Sequence, residues 1–131
     1  MQYCNVRLGA MDQCSIRLRL PCRLERPRPR GGRGDGTFGT WIVLRALGIG
    51  PGDEVICASH TWHQVAHAIT LTDTAPVFAD IDYWSGCLDV AKVQRKIGKR
   101  TRAILAGNAN GHSAAWGPLR ELAAALVDCE H

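Results

Sequence analysis

From Gly34 onward, short apolar runs alternate with amphipathic segments, and glycine-rich joints separate them. Ile42, Val43, Leu44 and Leu47 supply helical spacing over about 38–47, and Gly48 supplies the stop. Gly50-Pro51-Gly52-Asp53 then turns the chain into a strand at 54–58. A second helix is predicted from about Thr61 to Leu71, followed by the strand Pro76-Val77-Phe78-Ala79. Asp80-Ile81-Asp82 leaves that strand through a loop, and Asp89 stands where it can cap a polar helix over about 90–98. The strand Arg102-Ala103-Ile104-Leu105-Ala106 and a helix over about 116–127 complete the series. This alternation predicts an α/β fold: a parallel sheet with helices on both faces. Ligands of such sheets bind at the carboxyl ends of the strands, which singles out the loops 58–63, 80–87 and 107–115.

Residues 1–33 have a different texture. Pro21, Pro27 and Pro29 interrupt regular structure, and Pro27-Arg28-Pro29-Arg30-Gly31-Gly32-Arg33 has nothing to bury, so this arm is expected to be extended or disordered. It also holds the basic charge. Eight Arg stand there against Asp12 and Glu25, net +6, whereas 34–131 is net −2 within an overall +4. The arm could attract nucleic acid by counterion release, but it lacks interleaved aromatics beyond Tyr3 and any known module, so no sequence-specific recognition is expected.

At 131 residues the chain makes one domain, expected to divide into the arm 1–33 and a folded portion 34–131. Its six cysteines show no C-x-x-C and no regular spacing, which fits a reduced, cytoplasmic setting. No apolar run approaches the ~18–20 residues of a membrane span.

Five blocks then identify a chemistry by resemblance. Gly34-Asp35-Gly36-Thr37, the run from Leu44 to Ile56, Thr61-Trp62, Pro76-Val77-Phe78-Ala79-Asp80-Ile81-Asp82 and Arg100-Thr101-Arg102-Ala103-Ile104-Leu105 stand in one order. Together they closely resemble the N-terminal part of the DegT/StrS-type sugar aminotransferases, over roughly 34–126. The resemblance implies a fragment of the aspartate-aminotransferase-like, fold type I domain that binds pyridoxal phosphate. It also implies transfer of an amino group onto a keto-sugar, often nucleotide-linked, or a keto-cyclitol, with active sites at the interface of a homo-oligomer.

Carried onto this chain, the resemblance makes Gly36-Thr37 the phosphate cup, with the Thr37 hydroxyl and the Phe38 backbone N–H as donors. Trp62 becomes the aromatic residue stacked on the pyridine ring. Each has a plainer alternative: Gly-Thr before a helix is an ordinary N-terminal cap, and a tryptophan at a helix start can simply be core. Asp80 and Asp82 read as turn residues rather than an acid/base pair. Asn108, Asn110, Gly111 and His112 follow the third strand on the ligand side and depart from the family's usual form.

Two groups that transamination needs do not stand out. Lys92, Lys96 and Lys99 lie on or just after one short polar helix like a solvated face, so none fits the Schiff-base lysine. No apolar strand precedes Asp128 or Glu130, so neither fits the carboxylate that protonates the pyridine nitrogen. Catalytic residues are therefore expected to be absent, and the chain alone is expected to be inactive, as a truncated or degenerate gene product.

Other readings stay open. Cys57, His60, His63 and His67 contain the i, i+4 pair of a zinc-protease helix, but Gln64 replaces the acidic base; the plain alternative is polar residues at a helix start, and no metal is expected. The chain could instead be a noncatalytic partner of a full-length homologue.

Overall fold

The computed structural model describes residues 4–7, 14–18 and 36–128. Strands β1 (Cys4–Arg7), β2 (Cys14–Leu18), β3 (Glu54–Ala58), β4 (Ala75–Ala79) and β5 (Thr101–Gly107) form one sheet in the order β1-β2-β5-β3-β4. β3 runs parallel to both β4 and β5, and β2 lies antiparallel to β1 and β5. The helices are α1 (Gly36–Ala46), α2 (His63–Thr70), α3 (Val90–Lys96) and α4 (Trp116–Asp128). All three strands and all four helices predicted after Gly34 are present. Within 1–33, nine residues pair as the extended strands β1 and β2. β2 finds its partner along the outer edge of β5 and β1 along β2, pairings that an apolar-pattern argument ignores. The Pro/Arg/Gly tract itself lies outside the described residues.

Two apolar layers sandwich the parallel strands. On one face Leu44 and Ile49 beside α1 and Ile69 of α2 pack on Val55, Cys57, Ala103 and Leu105. On the other, Val93 of α3 and Leu119 of α4 pack on Ile56, Ile104 and Ala106. This alternation of side chains along β3 and β5 follows the period of two of a pleated strand. Burying a side chain such as Leu44 or Ile56 from water contributes roughly 1.5–3 kcal/mol.

Local chemistry fixes the route of α1 into β3. Gly48 N–H donates to Arg45 O (3.0 Å) and Ile49 N–H to Leu44 O (3.1 Å), the paired bonds of a left-handed helix stop, with Gly48 at φ +72°. Ile49 then drops onto Leu44 in the core. Next, Asp53 N–H donates to Gly50 O (3.1 Å) across Pro51 and Gly52, and Gly52 at φ +92° takes the position of a type II turn that favours glycine. The eleven residues of α1 and the five of β3 each span roughly 16 Å. The start of α1 is thereby returned to the carboxyl end of β3.

Strand order positions the site. The chain crosses from β3 to β4 with α2 on one face, then back past β3 to β5 with α3 on the other. The order reverses between β3 and β5, and crevices of this kind at the carboxyl ends of parallel strands bind ligands.

Candidate cofactor-binding site

Two helices begin at that end of the sheet. α1 starts at Gly36-Thr37, and α2 starts immediately after the loop that leaves β3. The first N–H groups of a helix have no acceptors within it and give the terminus a partial positive charge. In α1 no acidic side chain in the first turn offsets that charge. Thr37 Oγ1 is buried and has no hydrogen-bond partner among the described residues. A buried hydroxyl left unpaired costs about 1–3 kcal/mol, so an acceptor beyond the described residues would satisfy it. A phosphate dianion, rich in acceptor oxygens, fits this corner.

Trp62 is the cap residue of α2, with extended backbone (φ −61°, ψ 127°) and a carbonyl that accepts from Val65 N–H at 2.9 Å. Its side chain is 66% exposed. The plainer alternative of a core tryptophan therefore does not apply. The indole N–H donates to Gln64 Oε1, and the His63 ring lies 5.3 Å away, tilted by 33°. Sequence reasoning did not find Gln64 in this role; its only signal was a long amide two residues after an aromatic at a helix start.

The loops after β3 and β4 are stitched together. Ser59 N–H donates to Ala79 O (2.8 Å) and Ser59 Oγ to Asp80 Oδ1 (2.9 Å). That hydroxyl, and then the Lys92 ammonium, hold the Asp80 carboxyl below the usual carboxylate range. Asp82 Oδ2 accepts from Ser85 N–H (2.8 Å), Ser85 Oγ (2.9 Å) and Trp84 N–H (3.2 Å), and the Ser85 bonds lower its pKa. Both aspartates thus serve the turn, as their sequence setting implies.

The remaining candidates divide. Asn108 Oδ1 accepts from Ala114 N–H (3.0 Å) and Trp116 Nε1–H (3.2 Å), so its carbonyl is committed to holding the loop before α4. Asn110 (φ +50°) and Gly111 (φ +81°) form the left-handed centre of a tight turn closed between Ala109 and His112. Cys57 is fully buried, and burial pushes its thiol up to about 11, while His60, His63 and His67 are exposed. Among the described residues no three of His, Cys, Asp and Glu come together as metal ligands.

Lys92 Nζ donates to Ile81 O (3.1 Å) and pairs with Asp80 (3.7 Å) and Asp89 (3.9 Å), on the α3 side of the sheet. Lys96 and Lys99 are exposed. Asp128 is the last residue of α4, and Glu130 lies outside the described residues. No helix among the described residues is long and apolar enough to cross a membrane.

Solved structures of fold type I aminotransferases match this chain, and the parallel strands β3, β4 and β5 covered by helices on both faces agree with that class. The profile of the DegT/DnrJ/EryC1/StrS aminotransferase family matches residues 33–126, and the chain belongs to that family. A relative from Streptoalloteichus tenebrarius, provisionally named an L-glutamine:3-amino-2,3-dideoxy-scyllo-inosose aminotransferase, is 38% identical over 102 residues, covering 74% of this chain and 24% of the relative. GDP-perosamine synthase from Caulobacter vibrioides is 33% identical over 112 residues, 86% of this chain and 27% of that protein. Among solved structures, DesV from S. venezuelae superposes with a TM-score of 0.67 at 41% identity, over 69% of this chain and 24% of DesV. The chain thus spans about a quarter of the length of the relatives it matches. The family works with pyridoxal phosphate, and solved members hold it or its amine form.

Proposed function

We propose that these residues form the phosphate-and-ring portion of a pyridoxal-phosphate site in an aminotransferase acting on a keto-sugar, often nucleotide-linked, or a keto-cyclitol. The observation that carries this reading is the unpaired, buried Thr37 hydroxyl at the start of α1, on the same end of the sheet as the Trp62 indole. Gly36 and the Phe38 N–H complete the cup, and Trp62 offers a flat face to the ring. When bound, the cofactor supplies an electron sink for moving an amino group between substrates. This chain's contribution is to hold the phosphate and orient the ring.

Turnover needs an amine to carry and relay a proton, and a carboxylate on the pyridine nitrogen. Lys92 is committed to Asp80, Asp89 and Ile81 O. The 131 residues by themselves therefore bind without catalysing, and the amine and carboxylate come from outside residues 36–128. The names of the relatives, a GDP-perosamine synthase and a scyllo-inosose aminotransferase, support the two substrate classes.

Titration of the full chain with pyridoxamine phosphate, which has no aldehyde to react with surface lysines, tests the reading. Binding is expected with a Kd on the order of 0.1 mM, about −5.5 kcal/mol. Inorganic phosphate should compete. No binding up to several millimolar, on the order of −3 kcal/mol or weaker, would sink it, as would conversion of a ketone to an amine by the chain alone.

One observation favours a second role beside this. Phe38 and Ile42, one turn apart on α1, and Leu71 at the end of α2 are each about half exposed. Apolar side chains in such an arrangement suit pairing with another copy or with a longer homologue. Concentration-dependent light scattering, reduced by Ile42→Glu, is the expected result.

A further inference from the structure

We infer that Gln64 is a positioning residue: its side-chain carbonyl fixes the Trp62 indole in the orientation that receives a planar, electron-poor ring. The inference rests on the reading of Trp62 given above and extends it to a residue for which neither motif nor resemblance gave a role.

The indole has little else to hold it. At 66% exposure Trp62 is not locked by surrounding packing, although a stacking face is useful only if it is already in place when the ring arrives. The α2 start fixes the backbone of Trp62, since its carbonyl accepts from Val65 N–H. Two side-chain torsions remain. The hydrogen bond from the indole N–H to Gln64 Oε1 restrains both, and the tilted His63 ring at 5.3 Å limits the swing on one side. An indole N–H only donates, so the Gln64 atom facing it is the carbonyl oxygen and not the amide nitrogen. Accepting this bond also polarises the indole toward greater electron density, which favours contact with an electron-poor heterocycle.

Gln64 touches neither phosphate nor reacting atoms in this scheme. It acts through Trp62 alone, and that separates positioning from a direct contact. A side chain fixed before binding no longer has to be ordered by the ligand, and losing that advantage weakens binding by roughly fivefold.

The experiment is a double-mutant cycle on the full chain with two readouts. The first is hydrogen exchange of the Trp62 indole N–H, its resonance assigned by Trp62→Phe. Exchange should accelerate at least threefold in Gln64→Ala and stay near wild type in Gln64→Glu, whose carboxylate still accepts. The second is the Kd for pyridoxamine phosphate: about fivefold weaker in Gln64→Ala, within twofold of wild type in Gln64→Glu, and unaffected by Gln64→Ala when Trp62→Phe is already present. A fivefold loss that persists in the Trp62→Phe background would overturn the inference, because Gln64 would then act without the indole. Unchanged indole exchange in Gln64→Ala would overturn it as well. Failure of the wild type to bind pyridoxamine phosphate, with indole exchange still responding to Gln64→Ala, would overturn the ring role by removing the cofactor reading beneath it.

Discussion

Thr37 carries two opposite energies. Among the described residues its buried hydroxyl lacks a partner, and in the proposed site the same group would donate to the phosphate. Thr37→Val keeps the branched shape and removes the hydroxyl, so it should raise the stability of the unliganded chain by about 1 kcal/mol. The same change should weaken pyridoxamine phosphate roughly tenfold, the loss of one hydrogen bond to a charged acceptor. Denaturant unfolding and ligand titration of one variant check both signs; a change in the same direction in both would show the hydroxyl to be structural. Asp82 gives a pH-dependent counterpart. Ser85 and Trp84 hydrogen bonds keep its folded pKa below the ordinary value, near 3.9 for an unfolded aspartate. Its stabilisation of the 82–86 turn is therefore fully present above pH ~4 and is lost as pH falls through the lower folded value. Carboxyl NMR titration should find Asp82 protonating below pH ~3.9, with Asp82→Asn abolishing that phase. The Trp84 backbone N–H, which donates to Asp82 Oδ2 at 3.2 Å, should report the turn's loosening through its amide shift.

At the scale of elements, the legible parts were those with a local chemical cause. Leu47-Gly48-Ile49 spelled the end of α1, Gly50-Pro51-Gly52-Asp53 spelled the turn, and Asp89 spelled the start of α3. Asp89 Oδ1 accepts from Ala91 N–H (2.9 Å) and Lys92 N–H (3.2 Å), so Asp89→Ala should destabilise the chain by about 1 kcal/mol in urea unfolding. An unchanged midpoint would mean that α3 is held by the packing of Val93, Val90 and Ile97 and not by its cap. What the sequence left unread depends on contacts between distant segments. Ser59 reaching Asp80, and Asn108 reaching Trp116, use ordinary polar residues whose spacing carries no periodicity. The same holds for Asn108 as a substrate residue: standing on the ligand side was readable, but its carbonyl being occupied was not. Trp62 was legible as a candidate only through the family resemblance, whereas its exposure, which favours stacking over core packing, came only with the fold.

For the molecule as a whole, the informative feature is which sheet edges are covered. β4 lies at one edge and contains Pro76, opposite Val55, whose missing N–H suits an edge strand. β5 is the most continuously buried strand, and its outer side is taken by β2. β1 and β2 lie ahead of residues 33–126, which the family profile matches. Their pairing of Ser15 with Ala106 and Arg17 with Ile104 covers backbone groups that would otherwise form a template for another chain. The new outer edge, β1, is only four residues long and ends in Arg7, both features that discourage edge-to-edge addition. Removing residues 1–19 should therefore leave the two apolar layers intact but open β5. Amides of β5 bonded to β2 should exchange at least tenfold faster, an opening free energy lower by about 1.4 kcal/mol, and light scattering should rise with concentration. If the shortened chain stays monomeric with β5 exchange unchanged, the hairpin does not protect that edge in solution, and the sheet's solubility must come from the helices on its faces.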